Sequence, residues 1–129
     1  MEKMFENIGS VTPDSLIAGH EVPLLVKGIT LAKNQGILAR GTVLGIATAS
    51  GLAMPVDSSK ADGTQTAFGI LTGTVDTGSG SATEDTKSTA YVSGLFNKNA
   101  MTFGGTDDAA DHEAKLRELG IFLKETIEY

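Results

Sequence analysis

Few side chains in this sequence could perform acid–base or metal chemistry, and they are scattered. The chain of 129 residues has no cysteine and only two histidines, His20 and His112. No H-x-H or H-x-x-x-H pattern occurs, so the spacing of a typical metal site is missing. His112 shares a predicted helix face with Leu116 and Leu119, which favours a packed helix histidine over a catalytic one. The lack of cysteine excludes disulfides, zinc–thiolate sites and thiol catalysis.

Serine, glycine and aspartate give equally little indication of a reactive site. Ser79 lies between two glycines, as in a flexible loop, and no G-x-S-x-G nucleophile elbow occurs. Asp107 and Asp108 stand where a helix begins, so helix capping explains them, and the spacing of a calcium loop is absent. Two carboxylates could still meet in space, although no pair stands out. The sequence predicts no catalytic residue, no metal site and no cofactor.

Charge and hydropathy narrow the choice of partners. The 10 basic residues are dispersed and face 16 acidic ones, for a formal net charge of −6. Because nucleic-acid binding depends on neutralising phosphates, no nucleic-acid partner is expected. No apolar run approaches the length of a membrane span, so no membrane association is expected. The N-terminal MEKMFENIGS lacks the apolar stretch of an export signal, which predicts synthesis in a cytoplasm.

The pattern of apolar residues and turns predicts a mainly β chain. The 16 glycines punctuate short stretches rich in β-branched residues, and no alternation of strands with helices occurs. Strands are expected over residues 22–32, 42–47, 52–56, 67–75, 87–96 and 121–123. A helix is expected over residues 107–119, with Thr106 as N-cap and Gly120 as C-cap. Residues 76–86 are expected to form an exposed, flexible loop.

The chain divides into a weakly patterned start and a densely patterned remainder. We expect residues 1–20 to form a flexible N-terminal arm outside the core, and residues 21–129 to form one β-rich domain. Pro13 and Asp14 mark a turn within the arm, and a short apolar patch follows it at residues 16–18. A plain disordered terminus explains the same pattern equally well on the residues alone.

An ordered set of motifs resembles the lambda-type bacteriophage head decoration proteins. In the C-terminal half the set comprises Asp62-Gly63, AFGIL at residues 67–71, STAYVSGLF at 88–96, the helix, and GIFL at 120–123. In the N-terminal half it comprises PDSLIAG at 13–19, GITLA at 28–32, GIL at 36–38 and RGTVL at 40–44. The resemblance covers roughly residues 13–125. No single motif is specific, but their order is.

The resemblance implies a β-clip-like or small barrel-like fold with one short C-terminal helix and an extended N-terminal arm. It implies a non-enzymatic homotrimer that binds the exterior of the expanded capsid at three-fold positions and stabilises the virion. The arm would order on the major capsid (coat) protein by adding a strand to it. The arm residues carried over to that role are Pro13, Asp14, Leu16, Ile17, Ala18 and Gly19. Residues of the trimer interface are not assigned.

The chain departs from the lambda-type pattern in lacking tryptophan and in having a longer loop at 76–87 and a longer helix, which leaves the trimer contacts open. Three alternatives remain. A trimeric β-clip enzyme resembling dUTP pyrophosphatases would need Asp and Tyr near Arg40-Gly41, where neither occurs. A small-molecule-binding module of the sugar-acid or antifreeze-like kind has a weak hint in residues 40–44. The third is a phage structural component of another location.

Overall fold

A computed structural model describes residues 16–19 and 22–124 and shows a mainly β chain, as the sequence predicts. The strands are β1 (Ile17–Gly19), β2 (Leu25–Leu31), β3 (Ile37–Leu38), β4 (Val43–Ile46), β5 (Ala53–Pro55), β6 (Gly69–Leu71), β7 (Val75–Asp76), β8 (Thr86–Asn97) and β9 (Ile121–Lys124). One 3₁₀ turn (Lys98–Ala100) and one α-helix, α1 (Ala109–Leu119), lie between β8 and β9.

Five strands close into a small barrel, which confirms the barrel-like prediction. Their order is β8-β2-β5-β4-β6, and β6 pairs back onto β8. The pairings are antiparallel except for the contact of β2 with β5, which is parallel. Closure removes the open sheet edges that would otherwise be exposed to unwanted pairing. Pro55 is the last residue of β5, where the loss of its N–H is tolerated.

The long strand β8 leaves the barrel and becomes the centre of a second sheet. Its later residues pair with β1 on one side, antiparallel, and with β9 on the other, parallel. The change of partners falls at Gly94, whose φ of 146° lies in the region that favours glycine. A Cβ there would stand 2.6 Å from Leu24 Cδ2 and 2.8 Å from the Phe96 ring. Only glycine fits this crossing.

The apolar interior has two parts, one inside the barrel and one between the barrel, the helix and the second sheet. The barrel part contains Ile29, Leu31, Leu38, Leu44, Ala53, Leu71 and Ala90. The second part contains Leu16, Val43, Val56, Ala67, Ile70, Phe96, Leu116 and Ile121. The second part thus unites residues from the start of the described chain, its middle strands, the helix and the last strand.

The helix begins two residues later than predicted, and its cap differs. Asp108, not Thr106, is the N-cap, because its backbone is extended and its carboxylate accepts from Ala110 N at 3.1 Å. Asp111 completes a capping box by accepting from Asp108 N at 2.9 Å. Gly120 ends the helix in the left-handed conformation with φ 96°, as expected.

Two further predictions need correction. The strand expected over residues 67–75 is divided into β6 and β7, and β7 pairs with β3 in a separate two-stranded ribbon. The loop after it is exposed at its tip, as predicted, but it is held by Asn34. The Asn34 Oδ1 accepts from Gly80 N and Ala82 N, both at 2.9 Å, and its Nδ2 donates to Ala82 O at 3.2 Å. An amide 48 residues away organises this loop.

Candidate functional site

The predicted arm residues that the structure describes are folded onto the second sheet. Leu16 is 1% exposed and lies in the second core part. Its carbonyl accepts from Asn97 N at 2.8 Å. Ile17 and Gly19 align with Phe96 and Leu95 of β8, with a register shift between the two pairs. Pro13 and Asp14 lie outside the described residues.

These positions move the start of the folded core ahead of the predicted boundary at residue 20. The expectation that the segment lies outside the core is wrong for Leu16, because its side chain is buried against the middle strands and the helix. Ile17, Ala18 and Gly19 are half-buried in a strand. The apolar patch at residues 16–18 is therefore a core anchor, which sequence reasoning missed because a patch of three apolar residues carries no periodicity.

The strand β1 ends the strand order, so its outer side has no partner strand among residues 16–19 and 22–124. An unpaired edge presents N–H and C=O groups that can receive another strand. Residues 1–15 join the domain at the start of this strand. The N-terminal segment thus meets the domain at β1, which ends the strand order of the described residues.

A hydrogen-bonded polar cluster links the start of the helix to the loop after β5. His112 Nε2 lies 2.6 Å from Asp107 Oδ2, and both side chains are about as buried as core residues, at 4% and 5% exposed. The same carboxylate accepts from Ser58 N and Ser58 Oγ, each at 2.6 Å. The His112 ring stacks on Phe103 with centroids 5.7 Å apart. The prediction of a packed helix histidine agrees with this placement.

The order of contacts in this cluster differs from that of a nucleophilic triad. A triad needs the serine hydroxyl on the imidazole so that the base can take its proton. Here Ser58 and His112 both bind Asp107, and the serine hydroxyl donates to the carboxylate. The hydrogen bond from Ser58, followed by that from His112, holds the pKa of Asp107 below its ordinary value. The arrangement connects the loop after β5 to the helix.

Arg40, the residue behind the enzyme and ligand-binding alternatives, is engaged within the fold. Its Nη1 donates to Thr72 O at 2.7 Å and to Tyr91 Oη at 2.9 Å. The guanidinium also lies 5.6 Å from the centroid of the Tyr91 ring. These contacts join the turn before β4 to strand β8. They give no support to the small-molecule-binding module that residues 40–44 weakly suggested.

Residues 16–19 and 22–124 offer neither a metal site nor a membrane-spanning helix. No group of three or more His, Cys, Asp or Glu side chains in that part of the chain could hold a metal ion. No helix of that part is long and apolar enough to cross a membrane. His20 lies outside the described residues.

The structure reveals an exposed apolar surface that the sequence did not indicate. We call it the β2 face and define it by Leu25, Lys27, Phe68, Val92 and Leu119, which together line a depression of about 390 Å³. Leu25 is 57% exposed and Leu119 is 38% exposed. Leu25 belongs to the apolar run at residues 22–32, for which the sequence predicts a strand. No sequence signal could have shown that neighbouring strands leave it uncovered.

The fold and its surfaces define a small β-barrel interaction module with an edge strand, an adjoining N-terminal segment and an exposed apolar face. The family model of the bacteriophage lambda head decoration protein D matches residues 7–122. The chain belongs to this family, which confirms the resemblance and gives it a role in phage capsid decoration. A search of curated proteins finds no match.

Proposed function

We propose that this protein binds as a homotrimer to the exterior of the expanded phage capsid, at three-fold positions, and stabilises the shell. The observation that carries the proposal is the family match over residues 7–122. The described geometry supports it, because the reactive residues considered above, His112 and Arg40, serve contacts within the fold. Decoration needs no chemistry, only contact surfaces.

The N-terminal segment, residues 1–15, is the proposed contact with the coat protein. Residues Pro13 and Asp14 precede Leu16, whose burial fixes the point where the segment leaves the domain. The segment would add a strand to the coat protein, and backbone hydrogen bonds would supply the affinity. The side chains of Ile17 and Ala18 and the backbone of Gly19 would hold the root of the segment in β1.

Stabilisation follows from mass action. A ligand that binds only the expanded shell shifts the equilibrium towards it. Three linked segments on one trimer raise avidity far above that of one segment, because each later contact forms within the complex. The acidic net charge of −6 suits a protein that stays outside a DNA-filled shell.

Co-sedimentation with expanded and unexpanded coat shells of the parent phage tests the proposal. We expect saturable binding of the full chain to expanded shells only. Binding to neither shell by a folded protein would refute decoration, and equal binding to both would refute selectivity for the expanded state.

The role of the segment is tested by removing residues 1–14, which include Pro13 and Asp14. A deletion of residues 1–20, the whole arm expected from the sequence, would also remove the buried Leu16 and leave a cavity in the core. The shorter deletion should leave thermal unfolding unchanged and reduce shell binding by more than tenfold, since several backbone contacts are lost. A matched control replaces residues 125–129 with glycine and serine. Normal shell binding by the shortened protein would sink the proposal for the segment.

A further inference from the structure

The β2 face differs from ordinary exposed apolar residues because its members adjoin one another. Single exposed apolar side chains are normal on soluble proteins, but contiguous ones mark interaction sites. Leu25, Val92 and Leu119 line one depression although they belong to β2, β8 and the end of α1. Three elements distant in sequence converge on this surface.

A second depression continues the β2 face along the barrel. Lys27 and Phe68 line both depressions, and the second, of about 480 Å³, adds Ile46 and Lys87 to the shared surface. The Lys27 ammonium lies 5.7 Å from the centroid of the Phe68 ring. The two depressions therefore form one surface with an apolar floor and two lysines.

The charge of this surface is unusual for the chain. The protein has 16 acidic against 10 basic residues, yet among residues 16–19 and 22–124 no acidic residue lines either depression. Two copies with a net charge of −6 repel one another, and an approach over acidic surfaces would add to that cost. A surface whose described lining holds lysines and no acidic residue is where a second acidic copy can approach most favourably.

Ring symmetry strengthens this argument. In a closed ring of three, each contact joins two different patches of neighbouring copies. Lys27 and Lys87 would therefore face another part of the neighbour, a chain with a formal net charge of −6, rather than the same lysines. The apolar floor would supply the hydrophobic burial that such contacts need.

We propose that the β2 face is the surface through which one copy of this chain contacts the next. The assignment rests on the proposed homotrimer and names the part of the fold that builds it. The occupant is a second copy, and the coat protein is the rival occupant that the experiment must separate.

The experiment measures the mass of the full chain by sedimentation equilibrium at several concentrations, with a double variant and a matched control. The double variant Leu25→Asp with Leu119→Asp places two charges on the face. The control is Ile37→Asp, because Ile37 is 69% exposed on β3, outside both depressions. Circular dichroism checks that each variant keeps its β content.

We expect trimers for the wild type and for Ile37→Asp, and a dissociation constant raised on the order of 10- to 100-fold for the double variant. A monomeric wild type, or a double variant as trimeric as the wild type, would overturn the inference. If the double variant fails to fold, hydrogen exchange of the wild type decides: β2 should lose protection on dilution, and unchanged protection counts against the proposal.

A separate assay of shell binding distinguishes the proposed capsid decoration from the proposed contact between copies. A wild type that is trimeric through this face yet ignores shells contradicts decoration and leaves the inference standing. A double variant that stays trimeric but no longer binds shells assigns the face to the coat protein and refutes the inference.

Discussion

The two halves of β8 sit in very different surroundings. From Thr86 to Ser93 the strand pairs with β2 along the barrel wall, and β6 closes the ring against it. From Gly94 to Asn97 it pairs with β1 and β9, the first and last strands of the described chain. The barrel half is built from strands that close on themselves. The second half depends on segments from both ends of the chain.

This difference matters because the proposed coat-binding segment joins the dependent half. Leu16 contributes to the same core part as Leu116 and Ile121, which come from the helix and the last strand. Binding of the N-terminal segment should therefore affect this sheet and the helix first. The barrel has its own core part and provides most of the β2 face, whereas Leu119 of that face comes from the helix.

The largest expected loss of stability comes from truncating one buried side chain in each core part. Phe96→Ala should cost about 3–5 kcal/mol, and Leu31→Ala in the barrel about 2–5 kcal/mol, because each removes a fully buried side chain. Hydrogen exchange should then rise mainly in β1, α1 and β9 for Phe96→Ala, and throughout the barrel for Leu31→Ala. The same exchange pattern in both variants would show that the halves unfold as one unit.

The crossing between the halves is tested at Gly94. Gly94→Ala should lower the free energy of unfolding by about 1–3 kcal/mol, because it strains a left-handed backbone and drives Cβ against Leu24 and Phe96. Gly28→Ala is the control, since a Cβ there meets nothing within 4 Å, and it should change stability by less than about 0.5 kcal/mol. Denaturant unfolding measures both. Equal effects would remove the argument for a crossing that only glycine permits.

The smallest expected effect concerns the Asp107 cluster, which fastens the helix to the loop after β5. Asp107→Asn should lower the Tm by several degrees at neutral pH, because Ser58 and His112 lose a charged acceptor. The pKa of Asp107 is lowered in the fold, so its stabilising contribution is complete above the ordinary carboxyl value of 3.8 and is lost as pH falls through the lower folded value. The Tm difference between wild type and variant should therefore narrow in acid.

Melting curves between neutral pH and acid check this dependence. Glu118→Gln is the control, because its 70% exposed side chain, which lies 3.8 Å from Lys115, should contribute little. A Tm difference that stays constant as the pH falls below 3.8 would mean that the carboxylate charge contributes nothing to the connection.

Much of this protein follows from local sequence rules. The β-branched stretches separated by glycine turns predict the mainly β fold, and Gly120 predicts the helix end, because both depend on neighbours in the chain. The order of short motifs, none specific alone, predicts the family, which the match over residues 7–122 confirms. Because reactive side chains are scarce, the sequence favours a role in binding over a role in catalysis.

Only the tertiary structure decides which local options are used. Asp107 and Asp108 are both suited to the N-cap position of the helix. Asp108 is the N-cap because the Asp107 carboxylate is hydrogen-bonded to Ser58, 49 residues away. Leu16 reads like an arm residue and Leu25 like a core residue, yet Leu16 is 1% exposed and Leu25 is 57% exposed. Burial depends on which strands pack over a side chain, and strand pairing joins residues far apart in the chain. No window of neighbouring residues contains that information.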